Sequence, residues 1–142
     1  MTPRHIRLLV TGTREDLTLQ QEATVAVMML GDSVGATMSL WVGDCPTGVD
    51  AFALDLAKRW GWAYQKFQAY WRRFGLRAGP ERNGRMVAVF RKMITVSPGE
   101  ARVLAFPLGY SPGTRNCISQ AAAAGLSVRT IDLTAPPRRA RT

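Results

Sequence analysis

Two rhythms of apolar residues alternate along this chain. Residues 6–10 (Ile6, Leu8, Leu9, Val10), 38–42 (Met38, Leu40, Trp41, Val42) and 103–106 (Val103, Leu104, Ala105, Phe106) form short, nearly unbroken apolar runs. Runs without strict polar alternation predict strands covered on both faces, as in a parallel sheet. Residues 63–67 read as a weaker strand and 128–131 as the last one. Between these runs the spacing becomes helical. Leu19, Ala23, Ala26, Val27 and Leu30 predict one buried face of a helix over 16–30. Val49, Phe52, Ala53, Leu56, Ala57 and Trp60 predict a clearer one, ended by Gly61. A third helix is expected to start at Gly79-Pro80-Glu81, with proline in the first helical position, and to run through Arg91. A fourth carries Ile118, Ala121 and Ala122 on one side and closes at Gly125.

Strand and helix therefore alternate throughout, which predicts an α/β fold: a single Rossmann-like, doubly wound domain with about five mostly parallel strands. One domain over 1–134 is the economical division, because no linker or internal repeat interrupts the pattern. Residues 135–142, PPRRART after Ala135, read as a basic, disordered tail.

Composition changes this picture in one respect. The 142 residues carry a formal charge of +9, supplied almost wholly by arginine. Such a balance favours anionic partners: phosphate-bearing small molecules, nucleic acid or an acidic protein. No apolar run approaches the roughly 18 residues that a membrane helix needs. The opening, MTPRHIR, lacks the apolar stretch of a signal peptide, so a cytoplasmic protein without a membrane partner is expected. Cys45 and Cys117 offer no metal spacing and no CxxC pair, so reduced thiols are expected and neither metal nor cofactor is predicted.

In an open parallel sheet, ligands bind outside the carboxyl ends of the strands, where the strand order reverses. Three turn-rich loops would gather there: Thr11-Gly12-Thr13-Arg14, the stretch from Gly43 to Asp50, and residues 107–114 with Gly109, Gly113 and Thr114. Glycine lets backbone approach a ligand closely, and each loop feeds a helix whose free N–H groups favour an anion. Neither GxGxxG nor GxxxxGK[ST] is present, so the combination of loops carries the inference. Arg82 and Asn83 add a two-pronged cation and a side chain suited to a base edge or ribose hydroxyl. Trp71 is expected to pack in the core with the neighbouring arginines solvated. Asp50, at a strand-to-helix turn, is expected to cap its helix. His5, placed ahead of the first strand, is given no role.

Taken in order, VTGTR (10–14), VGDCPTGVD (42–50), Trp71 with Phe74-Gly75, AGPERN (78–83) with Met86, and Phe106-Pro107 with Gly113-Thr114 resemble the YspA-like branch of the SLOG superfamily. That Rossmann-like group also includes the DNA-processing protein DprA and the lonely-guy phosphoribohydrolases. The resemblance spans residues 7–133 and implies a pocket for a nucleotide or a derivative such as ADP-ribose, in a phage or mobile-element setting. It implies one wall from Gly12, Thr13 and Arg14, and an adjacent wall from Gly43, Asp44, Gly48 and Asp50. Arg82 and Asn83 would reach in from the side, while Gly109, Gly113 and Thr114 would cradle phosphate. The lonely-guy enzymes carry PGGxGTxxE, whose glutamate assists glycosidic cleavage. Here Arg115, Asn116 and Cys117 follow the glycine-threonine pair, so that carboxylate is missing. Asp44 and Asp50 are the candidate catalytic replacements.

Three functions stay open on these residues. The first is binding, to sense or sequester a nucleotide-derived small molecule. The second is hydrolysis of its N-glycosidic bond, by Asp44 or Asp50 with Arg82. The third is nucleic-acid binding, encouraged by the basic charge and lowered by the lack of an aromatic-interleaved basic stripe on any one element. Homo-oligomerisation is likewise left open.

Overall fold

The computed structural model describes residues 4–97 and 99–134. Five strands, β1 (Arg4–Gly12), β2 (Ala36–Gly43), β3 (Ala63–Phe67), β4 (Glu100–Phe106) and β5 (Val128–Thr130), form one sheet in the order β3-β2-β1-β4-β5. Every pairing is parallel. The intervening helices are α1 (Leu19–Leu30), α2 (Gly48–Arg59), the four-residue α3 (Trp71–Phe74), α4 (Ala78–Val96) and α5 (Pro112–Ala123). A 3-10 turn (Gly75–Arg77) joins α3 to α4. The expected doubly wound α/β domain is therefore the observed one. The basic tail at 135–142 lies outside the described residues. No helix among those described is long and apolar enough to cross a membrane.

β1 is central, so its side chains are buried alternately on the two faces. Ile6, Leu8 and Val10 point into a core closed by Val25 and Met29 of α1 and by Val49, Ala53 and Ala57 of α2. Leu9 points the other way, into a second core with Trp41, Met86, Phe90, Cys117 and Ala121, under α4 and α5. Trp41 meets Phe90 edge to face at 5.4 Å. Complete burial of such side chains contributes about 1.5–3 kcal/mol each, which is why the unbroken apolar runs specify the central strands so firmly.

Several elements differ from their sequence reading. α1 begins at Leu19 rather than Asp16, behind a capping box in which Thr18 and Gln21 bond each other's backbone N–H. It buries the Val25 and Met29 face, while Leu19 and Val27, expected inside, are exposed. The helix has two apolar stripes at helical spacing, and the turn set by the capping box selects the other one. α5 likewise buries Thr114, Cys117 and Ala121; Ala122 faces out. α4 starts at Ala78, so Pro80 is its third residue rather than its first. Proline is tolerated there because that N–H has no intrahelical partner. α4 also runs on to Val96. His5 lies within β1, not ahead of it. α3, four residues long, is too short to leave a period in the sequence.

Candidate functional site at the carboxyl ends of β1 and β4

The chain turns left from β1 to β2 and β3, and right to β4 and β5, so the order reverses between β1 and β4. A cavity of about 520 Å³ opens at that fork. Its floor is the end of β1. A Cβ on Gly12 would stand 2.5 Å from Val49 and 2.8 Å from the Phe106 carbonyl, so only glycine lets α2 and β4 close on the strand end. Thr13 then binds the loop to both neighbours. Its N–H donates to the Phe106 carbonyl at 3.0 Å, and its own carbonyl accepts from the Val49 N–H at 2.9 Å. Gly48, with φ +72°, permits this overlap, since a Cβ there would collide with the Thr13 carbonyl. The N-terminus of α2 is thus covered by the chain's own loop.

The N-terminus of α5 is not. Pro112, its first residue, has no N–H to leave unpaired, and Gly113 and Thr114 supply the next two. A Cβ on Gly113 would meet nothing within 4 Å, so this helix end faces open space in the cavity. Ser111 ahead of it sits in the left-handed region at φ 41°, its hydroxyl donating to the Leu108 carbonyl at 2.7 Å. That local bond holds the turn where a residue with a Cβ would otherwise avoid it.

The side wall comes from α4. Arg82 is buried between two carboxylates, with Nη1 3.0 Å from Asp44 Oδ1 and 4.0 Å from Asp50 Oδ2. Its Nε donates to Asn83 Oδ1 at 2.9 Å. The Asn83 amide in turn donates to the Gly113 carbonyl at 3.3 Å and to Asn116 Oδ1 at 3.2 Å. Asn83 is therefore committed to holding α5 in place, and its amide is not free to read a base edge. Gly43 allows the cluster to close, since a Cβ there would lie 2.5 Å from both Arg82 and Asp50.

Asp50 is the third residue of α2, not its cap; Thr47 holds the cap position. Its Oδ2 accepts from the Cys45 N–H at 3.3 Å. Burial pushes its pKa up to about 6, against the opposing pull of Arg82 and the Cys45 N–H. Cys117, beneath the cavity, is raised to about 11 by the same desolvation.

Of the residues predicted from sequence, Gly12, Thr13, Arg14, Asp50, Arg82, Asn83, Gly113 and Thr114 line this cavity together. Gly43 and Gly48 lie behind it as packing positions. Asp44 is also behind it, its second oxygen accepting from the Ala69 N–H at 3.2 Å. Gly109 forms the β4–α5 turn at φ +64° and does not reach the cavity. Trp71 corrects the expectation of a core residue. It is 46% exposed, lines the cavity, and lies under the Arg14 guanidinium at 5.1 Å. Glu15, Cys45 and Asn116 also line the wall without having been singled out. Their place follows from the loops, and no local pattern marks them.

No protein-family model matches the chain. Among curated proteins it is similar to the Gene 61 protein of Mycobacterium phage D29, with 38% identity over 74 residues. The match covers 52% of this chain and 59% of that protein, so the chain spans less than two thirds of this relative's length.

Proposed function

We propose that this domain binds a nucleotide or a nucleotide-derived molecule, ADP-ribose-like in its chemistry, at the fork between β1 and β4, and senses or sequesters it. The observation that carries this reading is the open first turn of α5, with Gly113 bare toward the cavity and Arg14 stacked on Trp71 across from it. The N–H groups and the partial positive charge of a helix start suit a phosphate. An aromatic wall with a guanidinium suits a ring next to that phosphate. The earlier resemblance to SLOG domains and the phage relative agree with a mobile-element setting. Thermal unfolding against AMP, ADP-ribose, NAD and cyclic nucleotides tests it. A ligand at about a hundred times its Kd stabilises the fold by about 2.7 kcal/mol. The expected result is a salt-resistant shift with at least one of these, lost in Gly113→Val. No shift with any of them sinks the reading.

One observation favours a second reading, hydrolysis of the ligand's N-glycosidic bond. Asp50 lines the cavity with a pKa near 6, a range suited to proton transfer at neutral pH. Water would add to C1′ as the C1′–N bond breaks; Asp50 would accept the proton released by that water and pass it to the departing base nitrogen, returning to its starting state. Asp44, tied to Arg82 and Ala69, is not placed for this. Chromatographic release of free base, lost in Asp50→Asn while binding persists, supports turnover. Intact ligand after prolonged incubation excludes it.

A further inference from the structure

A second cavity, of about 500 Å³, adjoins the first and is lined by residues 68–73. Trp71 belongs to both. The segment from Tyr70 to Arg77, Tyr-Trp-Arg-Arg-Phe-Gly-Leu-Arg, interleaves aromatic and basic side chains on α3 and the 3-10 turn. Tyr70 and Trp71 are about half exposed, and Leu76 is 94% exposed. Their ring faces are already dressed with guanidinium groups: Arg85 over Tyr70 at 4.8 Å, Arg14 over Trp71 at 5.1 Å and Arg73 over Phe74 at 5.2 Å.

Arg4, Arg59, Arg85 and Arg102 each reach a carboxylate, whereas no ion pair among the described residues engages Arg14, Arg72, Arg73 or Arg77. Exposed rings beside unpaired arginines, next to a cavity proposed to hold a nucleotide, make a stacking platform with counter-charges for a phosphodiester.

We propose that this platform is a second nucleotide subsite: the ligand is a dinucleotide unit whose first nucleotide occupies the β1–β4 cavity, against Trp71, and whose second base stacks at Tyr70. Arg72 and Arg73 hold the phosphate between them. The inference rests on the nucleotide reading of the first cavity. The same unit occurs as a free dinucleotide and as the end of a single strand, and chain length separates the two.

The test is titration calorimetry of the full chain with AMP and TMP, the 5′-phosphorylated dinucleotides pApA and pTpT, and the corresponding hexamers, at two salt concentrations. One stacked base predicts a dinucleotide bound about 5- to 150-fold more tightly than its mononucleotide. Tyr70→Ala, or Arg72→Ala with Arg73→Ala, should remove that gain and leave mononucleotide affinity unchanged, because none of these side chains lines the first cavity. The double arginine change should also flatten the salt dependence of dinucleotide binding. Unchanged melting temperatures would show that the variants fold. A hexamer no tighter than the dinucleotide points to a free dinucleotide; a tighter hexamer points to a strand end; either supports the subsite. Equal binding of mono- and dinucleotide overturns it and spares the first cavity. A gain that survives the variants overturns it, as does equal competition by hexaglutamate, since charge alone would then explain the platform. No binding by any probe overturns the subsite, and together with no thermal shift from ADP-ribose, NAD or cyclic nucleotides it overturns the first-cavity reading too.

Discussion

Among the described residues, each end of the sheet buries one arginine, and the two are used differently. Arg7, near the amino end, is 3% exposed and meets neutral acceptors: the Ser97 carbonyl at 2.9 Å, the Ser97 hydroxyl at 2.9 Å and His5 Nδ1 at 3.4 Å. No carboxylate among the described residues pairs with it. Burial, and then the Arg7 charge, holds the His5 pKa below its usual value. Surface ion pairs close the rim around it, Arg4 with Glu100 at 2.8 Å and Arg102 with Glu100 at 2.9 Å. Arg82, at the carboxyl end, is 7% exposed but stands between two carboxylates beside an open cavity. At the amino end, charge fastens the end of α4 to the central strand. At the carboxyl end, one cation stands between two carboxylates, and burial holds one of them, Asp50, above its ordinary pKa. Unfavourable electrostatics beside a cavity is the pattern expected of a site.

The sharpest way to break this contrast is to remove each arginine in turn. Arg82→Ala leaves Asp44 and Asp50 without their cation and should destabilise the fold by about 3–5 kcal/mol at pH 8. The loss should be smaller at pH 5, where Asp50 takes up a proton. Denaturant unfolding at the two pH values measures both, and equal losses would contradict the pairing. Asp50→Asn should act in the opposite direction. The folded pKa near 6 lies above the ordinary aspartate value of 3.8, so the folded state binds more protons between those values and stability falls as pH rises through that window. Removing the charge should therefore stabilise the protein by about 2–3 kcal/mol at pH 8 and by little at pH 4. A melting temperature that does not rise at pH 8 would show that Asp50 carries no such cost.

Arg7→Ala should cost about 1–3 kcal/mol, the penalty for unmade hydrogen bonds at a buried group, with no change in ligand affinity. A loss of ligand binding in this variant would join the two ends of the sheet and erase the contrast. The smallest effect on the fold is expected from Gly113→Val, where the added side chain meets open space. It should leave stability within about 1 kcal/mol of the parent and weaken nucleotide binding at least about tenfold, or 1.4 kcal/mol.

Much of this fold was legible because central parallel strands must be apolar on both faces, and the runs at Ile6, Leu40 and Leu104 have no other reading. Helix orientation was less so. Leu19, Ala23 and Val27 fit a buried stripe as well as Val25 and Met29 do, and only the capping box and the packing against β1 separate them. α3 is barely one turn long, too short to show a period. The glycine loops of the site were readable because Gly12 and Gly48 answer to backbone approaches that no other residue permits. Trp71 was not, since its partner Arg14 is distant in sequence and the stack exists only once β1 and α3 are brought together. The aromatic and basic alternation from Tyr70 to Arg77 is present in the sequence, but it is split between α3 and the 3-10 turn, so no single long element carries it as a stripe.

Thr13 has a consequence for time as well as place. Its two backbone bonds, to Phe106 and Val49, lock the β1–α1 loop to β4 and α2 before any solute arrives. Association at this fork therefore requires no ordering of that loop: observed rates should rise linearly with concentration, without the plateau of a slow rearrangement. Under the proposed binding role, occupancy would then follow the surrounding concentration as fast as encounter and escape permit, the behaviour of a prompt reporter rather than a latch.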